Sequence, residues 1–451
     1  MNRIPDHTEE SSTRSPEDER RLRTRYLRLK SALYDRITGL YSYHLHLEHL
    51  QMECEARRLG VIVLEFPTLA RLETAHGWEM GDRFLSGVGA LLGAARGRLL
   101  PESSLLSLDG VYGDSFLIFV PEVADGHPDS GGLETLTGTL SRHLRSRLEQ
   151  ADWGPGPPAL DFSLGHAAVS ANPASRFERR LHQAIREARA MTARRAARLQ
   201  DDRAGELRSI LQGRRLTTHY QPIVDMERGT IMGYEALTRG PRDSSLEVPE
   251  ALFACAESEH LSLELDSLCR HEALRNARGL DAGLKLFLNA LPETLRSPNY
   301  ADAGLPGILA EMALRPSNLV LEITERCAIA DFEAFCSALG RLRRQGYLVA
   351  IDDVGTGYSS LQSITEVQPD FLKIDISLIK KIHQSLIKQE LVQSLLQVGA
   401  RIGAQVIAEG IETAEEHRVL RSCGVRYGQG FYFARPAPAF PTKLTGGRGP
   451  V

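Results

Sequence analysis

Cysteine is scarce in this chain, and the few cysteines present are scattered. The 451 residues contain six, namely Cys54, Cys255, Cys269, Cys327, Cys336 and Cys423. None forms a CxxC pair or shows a cysteine and histidine spacing typical of a zinc site. These absences argue against a disulfide scaffold and a structural zinc centre, and they favour a reducing cytoplasm.

Long apolar runs and an excess of positive charge are also lacking. No segment approaches the roughly 18 consecutive apolar residues of a membrane span, and the N-terminus has no apolar core of a signal peptide. Lys and Arg number 54 against 58 Asp and Glu, which gives a net charge of −4. Because the sequence has no basic stripe, DNA, RNA and anionic membrane surfaces are poor candidate partners. A small anionic ligand bound in a local pocket remains a candidate. We therefore expect a cytoplasmic protein.

Several common catalytic signatures are absent as well. The sequence has no GxxxxGK loop, no GxSxG elbow and no HExxH helix. Nucleoside triphosphatases with a P-loop, serine hydrolases with a nucleophile elbow and zinc proteases are therefore poor candidates.

The length predicts two or three domains, at about 150 residues per domain. Residues 1–25 have almost no large apolar side chains and are predicted to form a disordered tail. Residues 26–200 form the first predicted domain, 201–212 a helical linker, 213–440 a second domain and 441–451 a flexible tail. In the first domain we predict helices over 26–59, 69–92, 134–149 and 176–211, and strands over 61–66, 105–108, 116–120 and 162–169.

Apolar runs recur through the second domain with helical patterns between them. The predicted strands are 218–224, 231–237, 284–288, 319–323, 347–351, 371–374, 405–408 and 430–433. Runs rich in Val, Ile and Leu are typical of strands buried on both faces in a mostly parallel sheet. The predicted fold class is α/β, with a closed (β/α)₈ barrel in this domain.

Polar residues follow or end several of these runs. The carboxylates are Glu235, Glu322, Asp352, Asp353 and Glu409, and they are joined by Asn289 and Lys373. Such residues meet at the carboxyl end of a (β/α)₈ barrel, where its active sites lie. Five like charges there require cations, and oxygen ligands favour Mg²⁺ or Mn²⁺. Two divalent cations plus Lys373 balance the charge, which indicates metal-assisted phosphoester hydrolysis.

These residues also carry a family likeness: residues 210–440 resemble the EAL family of cyclic di-GMP phosphodiesterases. The matching motifs follow in family order. They are Tyr220-Gln221-Pro222-Ile223-Val224, Glu235-Ala236-Leu237-Thr238-Arg239, Asn289, Glu322-Ile323-Thr324-Glu325, Asp352-Asp353-Val354-Gly355-Thr356-Gly357, Leu372-Lys373-Ile374-Asp375, Glu409-Gly410-Ile411-Glu412 and Gln429-Gly430. One departure is Val354, where phenylalanine is common in the family.

The resemblance implies a barrel with one reversed strand that opens cyclic di-GMP to linear pGpG. One metal would be held by Glu235, Asn289, Glu322 and Asp352, and the other by Asp352, Asp353 and Glu409. The catalytic residues would be Lys373, which positions the attacking water, together with Glu409 and Glu235. Gln221, Arg239 and Gln429 would contact the substrate or line its pocket, and Glu412 would hold the loop from Asp352 to Gly357.

The first domain resembles the GGDEF family of diguanylate cyclases in a degenerate form. Its signature has become Tyr112-Gly113-Asp114-Ser115-Phe116, so the acidic residue needed at Ser115 is missing. Glu65 replaces a metal-binding aspartate, while Asp82 is retained. Cyclisation needs a metal-stabilised attack on a phosphate, so we expect no cyclase activity and only a minor prospect of GTP binding.

Two alternatives stay open at this point. The barrel is either an active phosphodiesterase or a cyclic di-GMP receptor with little turnover that signals to a protein partner. The predicted helix over 377–402 either covers the barrel or forms a subunit interface, and the family resemblance favours a homodimer.

Overall fold

The computed structural model describes residues 33–56, 58–110, 114–122, 131–151, 161–172, 174–296, 305–324, 332–355 and 360–445. The predicted tail over 1–25 lies outside these residues, as do residues 446–451 of the tail predicted over 441–451. The chain divides into two compact units between Gln200 and Asp201. Within the described residues, no helix has both the length and the apolar character required to cross a bilayer.

The first unit is built on a four-stranded antiparallel sheet. Its strands are β1 (Arg58–Glu65), β2 (Leu105–Leu108), β3 (Ser115–Glu122) and β4 (Ser163–Ala168), in the spatial order β2-β3-β1-β4. Its helices are α1 (Leu47–Ala56), α2 (Leu69–His76), α3 (Trp78–Ala95), α4 (Gly131–Gln150) and the first half of α5 (Phe177–Gly213).

Alternate residues of β1 supply two separate cores, because successive side chains of a strand point to opposite faces. Ile62 and Leu64 pack in one cluster, and Leu59, Val61 and Val63 pack in the other. Both faces of the sheet are therefore covered, which explains why the run is apolar throughout.

Two helix predictions in this unit are wrong in detail. Residues 26–32 and 57 of the helix predicted over 26–59 lie outside the described residues, and α1 occupies only its second half. Before α1 the chain forms a turn, in which the Asp35 carboxylate accepts hydrogen bonds from the Ile37 amide and the Thr38 hydroxyl. Such side-chain bonds compete with helix formation. The helix predicted over 69–92 breaks at Gly77, whose φ of 86° belongs to the left-handed region.

The second unit is a closed eight-stranded barrel, which confirms the predicted fold class. Its strands are β5 (Thr217–Asp225), β6 (Thr230–Arg239), β7 (Lys285–Asn289), β8 (Leu319–Thr324), β9 (Leu348–Val354), β10 (Phe371–Ile374), β11 (Gln405–Ala408) and β12 (Tyr427–Gly428). β5 is antiparallel to both neighbours, β6 and β12, whereas the other neighbouring pairs are parallel. The reversed strand is thus the first strand of the barrel.

Helices surround the barrel. They are α6 (Pro249–Ser258), α7 (Ser262–Asn276), α8 (Pro292–Arg296), α9 (Leu305–Glu311), α10 (Phe332–Arg344), α11 (Ser360–Val367), α12 (Ile376–Ile379), α13 (Leu386–Ile402) and α14 (Ala414–Ser422). The second half of α5 packs with this unit through Leu207 and Ile210, so the predicted linker over 201–212 is part of a buried cluster here.

Two predictions in the barrel unit also require correction. The last strand lies at Tyr427–Gly428 rather than 430–433, because the chain turns at Gly430, where a Cβ would lie 2.1 Å from the Ile411 carbonyl oxygen. The helix predicted over 377–402 is divided into α12 and α13. Lys381 separates them with a φ of 59°, and its amide donates to the Glu416 carboxylate.

Gly165 allows α5 to lie directly on β4. A Cβ at Gly165 would lie 2.0 Å from the Ala188 carbonyl oxygen and 2.5 Å from the Thr192 hydroxyl oxygen. We predict that Gly165→Ala lowers the free energy of unfolding by about 1–3 kcal/mol, because helix and strand must separate. Thermal unfolding followed by circular dichroism measures this change.

Gly138→Ala is the matched control in the same unit. Gly138 lies in α4, and a Cβ there would meet no atom of the described residues within 4 Å. The substitution is expected to stabilise the helix by about 1 kcal/mol. An unchanged or higher melting temperature for Gly165→Ala would show that α5 does not rest on β4 in this way.

Candidate active site

One buried lysine lies at the centre of the candidate site. Lys373, in β10, is fully buried. Its Nζ lies 2.6 Å from Glu322 Oε1, 2.6 Å from Glu409 Oε1, 3.3 Å from Asp352 Oδ1 and 3.4 Å from Glu235 Oε2. The structure therefore brings together four of the five carboxylates predicted from the sequence around the predicted lysine.

The alternation of side chains along the strands explains why these polar side chains meet inside the barrel. Val320, Ala350, Phe371 and Ile407 belong to one apolar cluster that includes the inward-facing residues of the barrel. Glu322, Asp352, Lys373 and Glu409 each follow a member of this cluster by two positions. Residues two apart on a strand share a face, so each polar side chain extends the inner layer by one step toward the carboxyl end.

The neighbouring strand β7 follows the same rule. Asn289 comes two positions after Phe287 of the same apolar cluster, and its backbone pairs with Glu322 across the sheet. The Asn289 Nδ2 lies 3.4 Å from Glu235 Oε1. This predicted ligand is therefore next to the carboxylates, although its side chain is more exposed than theirs.

Burial and mutual repulsion control the charges of the site. Burial, followed by the charge of Glu235, raises the pKa of Glu322 well above its ordinary value. Burial, followed by the charge of Asp352, raises the pKa of Glu409 well above its ordinary value. Burial also raises the pKa of Asp352. Burial alone would lower the pKa of Lys373, but the surrounding carboxylates raise it well above its ordinary value.

The pKa of Glu235 is shifted in the opposite direction from those of Glu322, Asp352 and Glu409. Burial raises its pKa, but the Lys373 ammonium and the Gln429 amide outweigh this effect, so the net pKa is lowered. The site therefore contains a stable ammonium and carboxylates that need further positive charge to be ionised together.

The donor set fits hard divalent cations. Asp352, Asp353 and Glu409 offer carboxylate oxygens that all lie within 4.8 Å of one another. Among the described residues, Glu322 Oε2 is buried without a hydrogen-bond partner, and the buried Glu322 Oε1 and Glu409 Oε1 have only the Lys373 ammonium beside them, at 2.6 Å. Buried anionic oxygens without hydrogen bonds are costly unless a cation compensates them, and oxygen ligands suit Mg²⁺ or Mn²⁺.

Glycine allows the loops that carry two of these carboxylates to pack closely on α12. Gly355 lies two residues after Asp353 and has a φ of 114°, and a Cβ there would lie 2.5 Å from the Leu378 side chain. Gly410 follows Glu409 with a φ of 65°, and a Cβ there would lie 2.4 Å from Ile376. The short helix after Lys373 therefore supports both loops.

The three residues predicted to contact substrate have different surroundings. Gln221 and Gln429 are buried and hydrogen-bonded to each other, with Gln429 Nε2 lying 2.6 Å from Glu235 Oε2. Arg239 is only partly buried, and its Nη1 donates to the Thr238 carbonyl oxygen. Arg239 thus keeps donors for a ligand, while the two glutamines use theirs within the protein.

The loop-anchoring role predicted for Glu412 stays a prediction, because part of that loop lies outside the described residues. Its side chain is exposed, and among the described residues its carboxylate makes no hydrogen bond or ion pair. Residues 356–359 of the predicted loop, and Glu325 of its motif, lie outside the described residues.

Glu416, which the sequence patterns did not single out, is buried. Its carboxylate accepts hydrogen bonds from the backbone amides of Lys381, Glu412 and Thr413. It forms a capping box with Thr413 at the start of α14. The spacing Thr413-x-x-Glu416 is the signature of such a box and was the available signal.

The first unit contains a second cluster of charged groups, at one end of β1 and β3. Glu65 and Ser115 are paired across these strands. The Arg189 guanidinium, from α5, lies 2.8 Å from Glu65 Oε1, 2.9 Å from Asp109 Oδ2 and 3.3 Å from Ser115 Oγ. An arginine therefore neutralises both acids. Tyr112, the other altered signature position, lies outside the described residues.

Comparison with known proteins places the barrel in a family. The model of the EAL domain matches residues 204–436, more than half of the chain. A bifunctional diguanylate cyclase/cyclic di-GMP phosphodiesterase, MucR of Pseudomonas aeruginosa, is 27% identical over 439 residues, covering 91% of this chain and 61% of that protein. The cyclic di-GMP phosphodiesterase PdeR of Escherichia coli is 26% identical over 428 residues, covering 90% of this chain and 62% of that protein.

A solved structure shows a similar fold. The EAL domain of FimX from Xanthomonas citri, in complex with c-diGMP, is 22% identical with a TM-score of 0.50, covering 55% of this chain and 99% of that domain. The chain spans 51% of one curated relative, an uncharacterized signaling protein of Caulobacter vibrioides, and 61% and 62% of the two relatives above. Because the domain model matches the region that forms the barrel and carries the clustered carboxylates, the chain belongs to the EAL domain family.

Proposed function

We propose that the barrel hydrolyses cyclic di-GMP to linear pGpG with the help of two divalent cations, Mg²⁺ or Mn²⁺. The observation that carries the proposal is the convergence of Glu235, Glu322, Asp352 and Glu409 on Lys373 at the carboxyl end of the barrel. The names of MucR and PdeR support the substrate and the reaction.

The side chains divide into two sets of ligands under this proposal. Glu235, Asn289, Glu322 and Asp352 would hold one cation, and Asp352, Asp353 and Glu409 would hold the other. The cations supply a water of lowered pKa and positive charge for the phosphate oxygens. Asp352 belongs to both sets.

Lys373 acts on the attacking water and Arg239 on the substrate. Since the ammonium is held by several carboxylates, its position is fixed before the substrate binds, and it donates a hydrogen bond that orients the water. The partly buried Arg239 guanidinium binds a phosphate of the dinucleotide. Glu235 and Glu409 lie beside the Lys373 ammonium, and their negative charges keep it protonated during the reaction.

The first unit is proposed to be a degenerate relative of the GGDEF family with a regulatory or structural role. Ser115 provides no carboxylate, and Arg189 pairs with both Glu65 and Asp109, so this cluster already contains its own cation. Binding of GTP through Asp82 is a lesser proposal, which calorimetry with GTP tests directly.

Turnover of cyclic di-GMP is the first test of the barrel. Purified protein with Mg²⁺ or Mn²⁺ should release pGpG, measured by chromatography, and Glu235→Gln should reduce the rate at least about 100-fold because a metal ligand is weakened. Glu257→Gln, an exposed position on α6, is the matched control and should keep the wild-type rate. Tight binding of cyclic di-GMP without turnover by the wild type would instead identify a receptor.

Cyclase activity is expected to be absent. The experiment uses the Glu235→Gln variant, so that any cyclic di-GMP formed from GTP would accumulate rather than be hydrolysed. Neither cyclic di-GMP nor pyrophosphate should appear with GTP and Mg²⁺ or Mn²⁺. Production of either at a rate above the buffer blank would show that the first unit retains a catalytic site.

A homodimer is the proposed assembly. Leu386, Ile387 and Leu391 of α13 are exposed apolar side chains, with Leu386 at 77% and Ile387 at 74% exposure. Sedimentation velocity should show a dimer for the wild type and a monomer for Ile387→Asp, because a buried charge opposes association. A monomeric wild type would contradict the proposal.

A further inference from the structure

Two buried glutamines connect the backbone of the barrel to Glu235. Gln221 Nε2, on the reversed strand β5, donates to the Ala434 carbonyl oxygen at 3.1 Å. Gln429 Nε2, just after β12, donates to Gln221 Oε1 at 3.0 Å and to Glu235 Oε2 at 2.6 Å. These contacts form a continuous chain of hydrogen bonds across β12, β5 and β6, which are neighbours in the barrel.

The chemistry of the groups determines the direction of this chain. A backbone carbonyl can only accept a hydrogen bond, so Gln221 must turn its NH₂ toward Ala434 and its oxygen toward Gln429. Gln429 must then present its own NH₂ to that oxygen. Since the ionised Glu235 carboxylate is also an acceptor, the same NH₂ serves both partners, and the amide of Gln429 has one satisfactory orientation.

This orientation determines how Glu235 presents its two oxygens. Oε2 receives the short hydrogen bond from Gln429 and lies beside Lys373. Oε1 lies on the Asn289 side, at 3.4 Å from Asn289 Nδ2. Asn289 and Glu235 belong to the same proposed set of cation ligands. Holding Oε2 therefore directs Oε1 toward that set.

The glutamines have few donors left for a substrate, although among the described residues Gln429 Oε1 is buried without a hydrogen-bond partner. Gln429 is 4% exposed and Gln221 is 7% exposed. The Gln429 NH₂ is shared by two protein acceptors, and the Gln221 amide uses both its oxygen and its nitrogen. Phosphate oxygens only accept hydrogen bonds, so Gln429 would contact a phosphate of the dinucleotide only by giving up its bond to Gln221 or to Glu235.

We propose that Gln429 is a positioning residue for Glu235 and not a contact to the cyclic dinucleotide, and that Gln221 orients the Gln429 amide. The proposal rests on the proposed function in taking Glu235 as a cation ligand. If the glutamines position Glu235, replacing them should weaken cation binding. If they contacted the substrate, replacing them should weaken substrate binding.

Gln429→Met tests the proposal, because methionine has a similar length but cannot donate. The binding of Mn²⁺ to the protein without nucleotide is measured by calorimetry, and kcat and KM are measured with cyclic di-GMP. We expect the dissociation constant for Mn²⁺ to rise about 10–100-fold. The kcat should fall at limiting Mn²⁺ and recover at saturating Mn²⁺, while KM for cyclic di-GMP stays within about twofold of the wild type.

Two further variants make the comparison specific. Gln405→Met is the matched control, because Gln405 is exposed at the start of β11, at the end away from Glu409. This variant should keep the wild-type Mn²⁺ affinity and turnover. Arg239→Met should show the reverse pattern of Gln429→Met, with KM raised and Mn²⁺ affinity unchanged. Circular dichroism establishes that each variant is folded.

The outcomes separate this proposal from the proposed function. Wild-type Mn²⁺ affinity in Gln429→Met, or a raised KM alone, would overturn the positioning role. If Gln429→Met does not fold, Gln221→Met takes its place and should weaken Mn²⁺ binding in the same direction, since the Gln429 amide loses its orientation. A wild type without turnover would contradict the proposed function, and the Mn²⁺ titration would still decide the role of Gln429.

Discussion

The placement of a lysine among carboxylates at the end of a closed barrel is the constraint on which the site depends. Two like charges about 4 Å apart repel by roughly 4 kcal/mol even at an effective dielectric constant near 20. Lys373 offsets part of this repulsion because its ammonium reaches four carboxylates, two of them at 2.6 Å. The raised pKa values of Glu322 and Glu409 show that one positive charge does not compensate for the whole set. This electrostatic deficit is the physical basis of the proposed binding of divalent cations.

The barrel can maintain this arrangement because its support is made of backbone contacts and apolar packing. The inward-facing apolar layer lies one step below the charged layer on the same strands. Gly355 and Gly410 allow the loops after Asp353 and Glu409 to pack closely on α12, and Glu416 joins the backbone after Glu409 to the break at Lys381. The charged side chains are therefore held by elements that carry little charge themselves.

In the first unit, the chain itself supplies the cation that its acidic cluster needs. Arg189 comes from α5, which packs on the sheet, and it pairs with acids on both sides of Ser115. A guanidinium held in this way satisfies the carboxylates without an added ion. In the first unit, one arginine compensates the charge of two acids. In the barrel, the acidic cluster is larger, and its single lysine does not compensate the full negative charge.

The sequence alone determined the α/β class, the barrel, and the identity of the carboxylates, Asn289 and Lys373, because apolar runs mark buried strands and each site residue follows such a run. It also predicted the reversed strand through the family resemblance. The position of β12, the break at Lys381, the bond from its amide to Glu416, and the role of Arg189 were decided only by the tertiary structure. These features depend on contacts between segments far apart in the chain, such as Gly430 with Ile411, Glu416 with Lys381, and Arg189 with Glu65. Local patterns carry no information about which distant partner will satisfy a buried amide or carboxylate, so only the folded chain could reveal them.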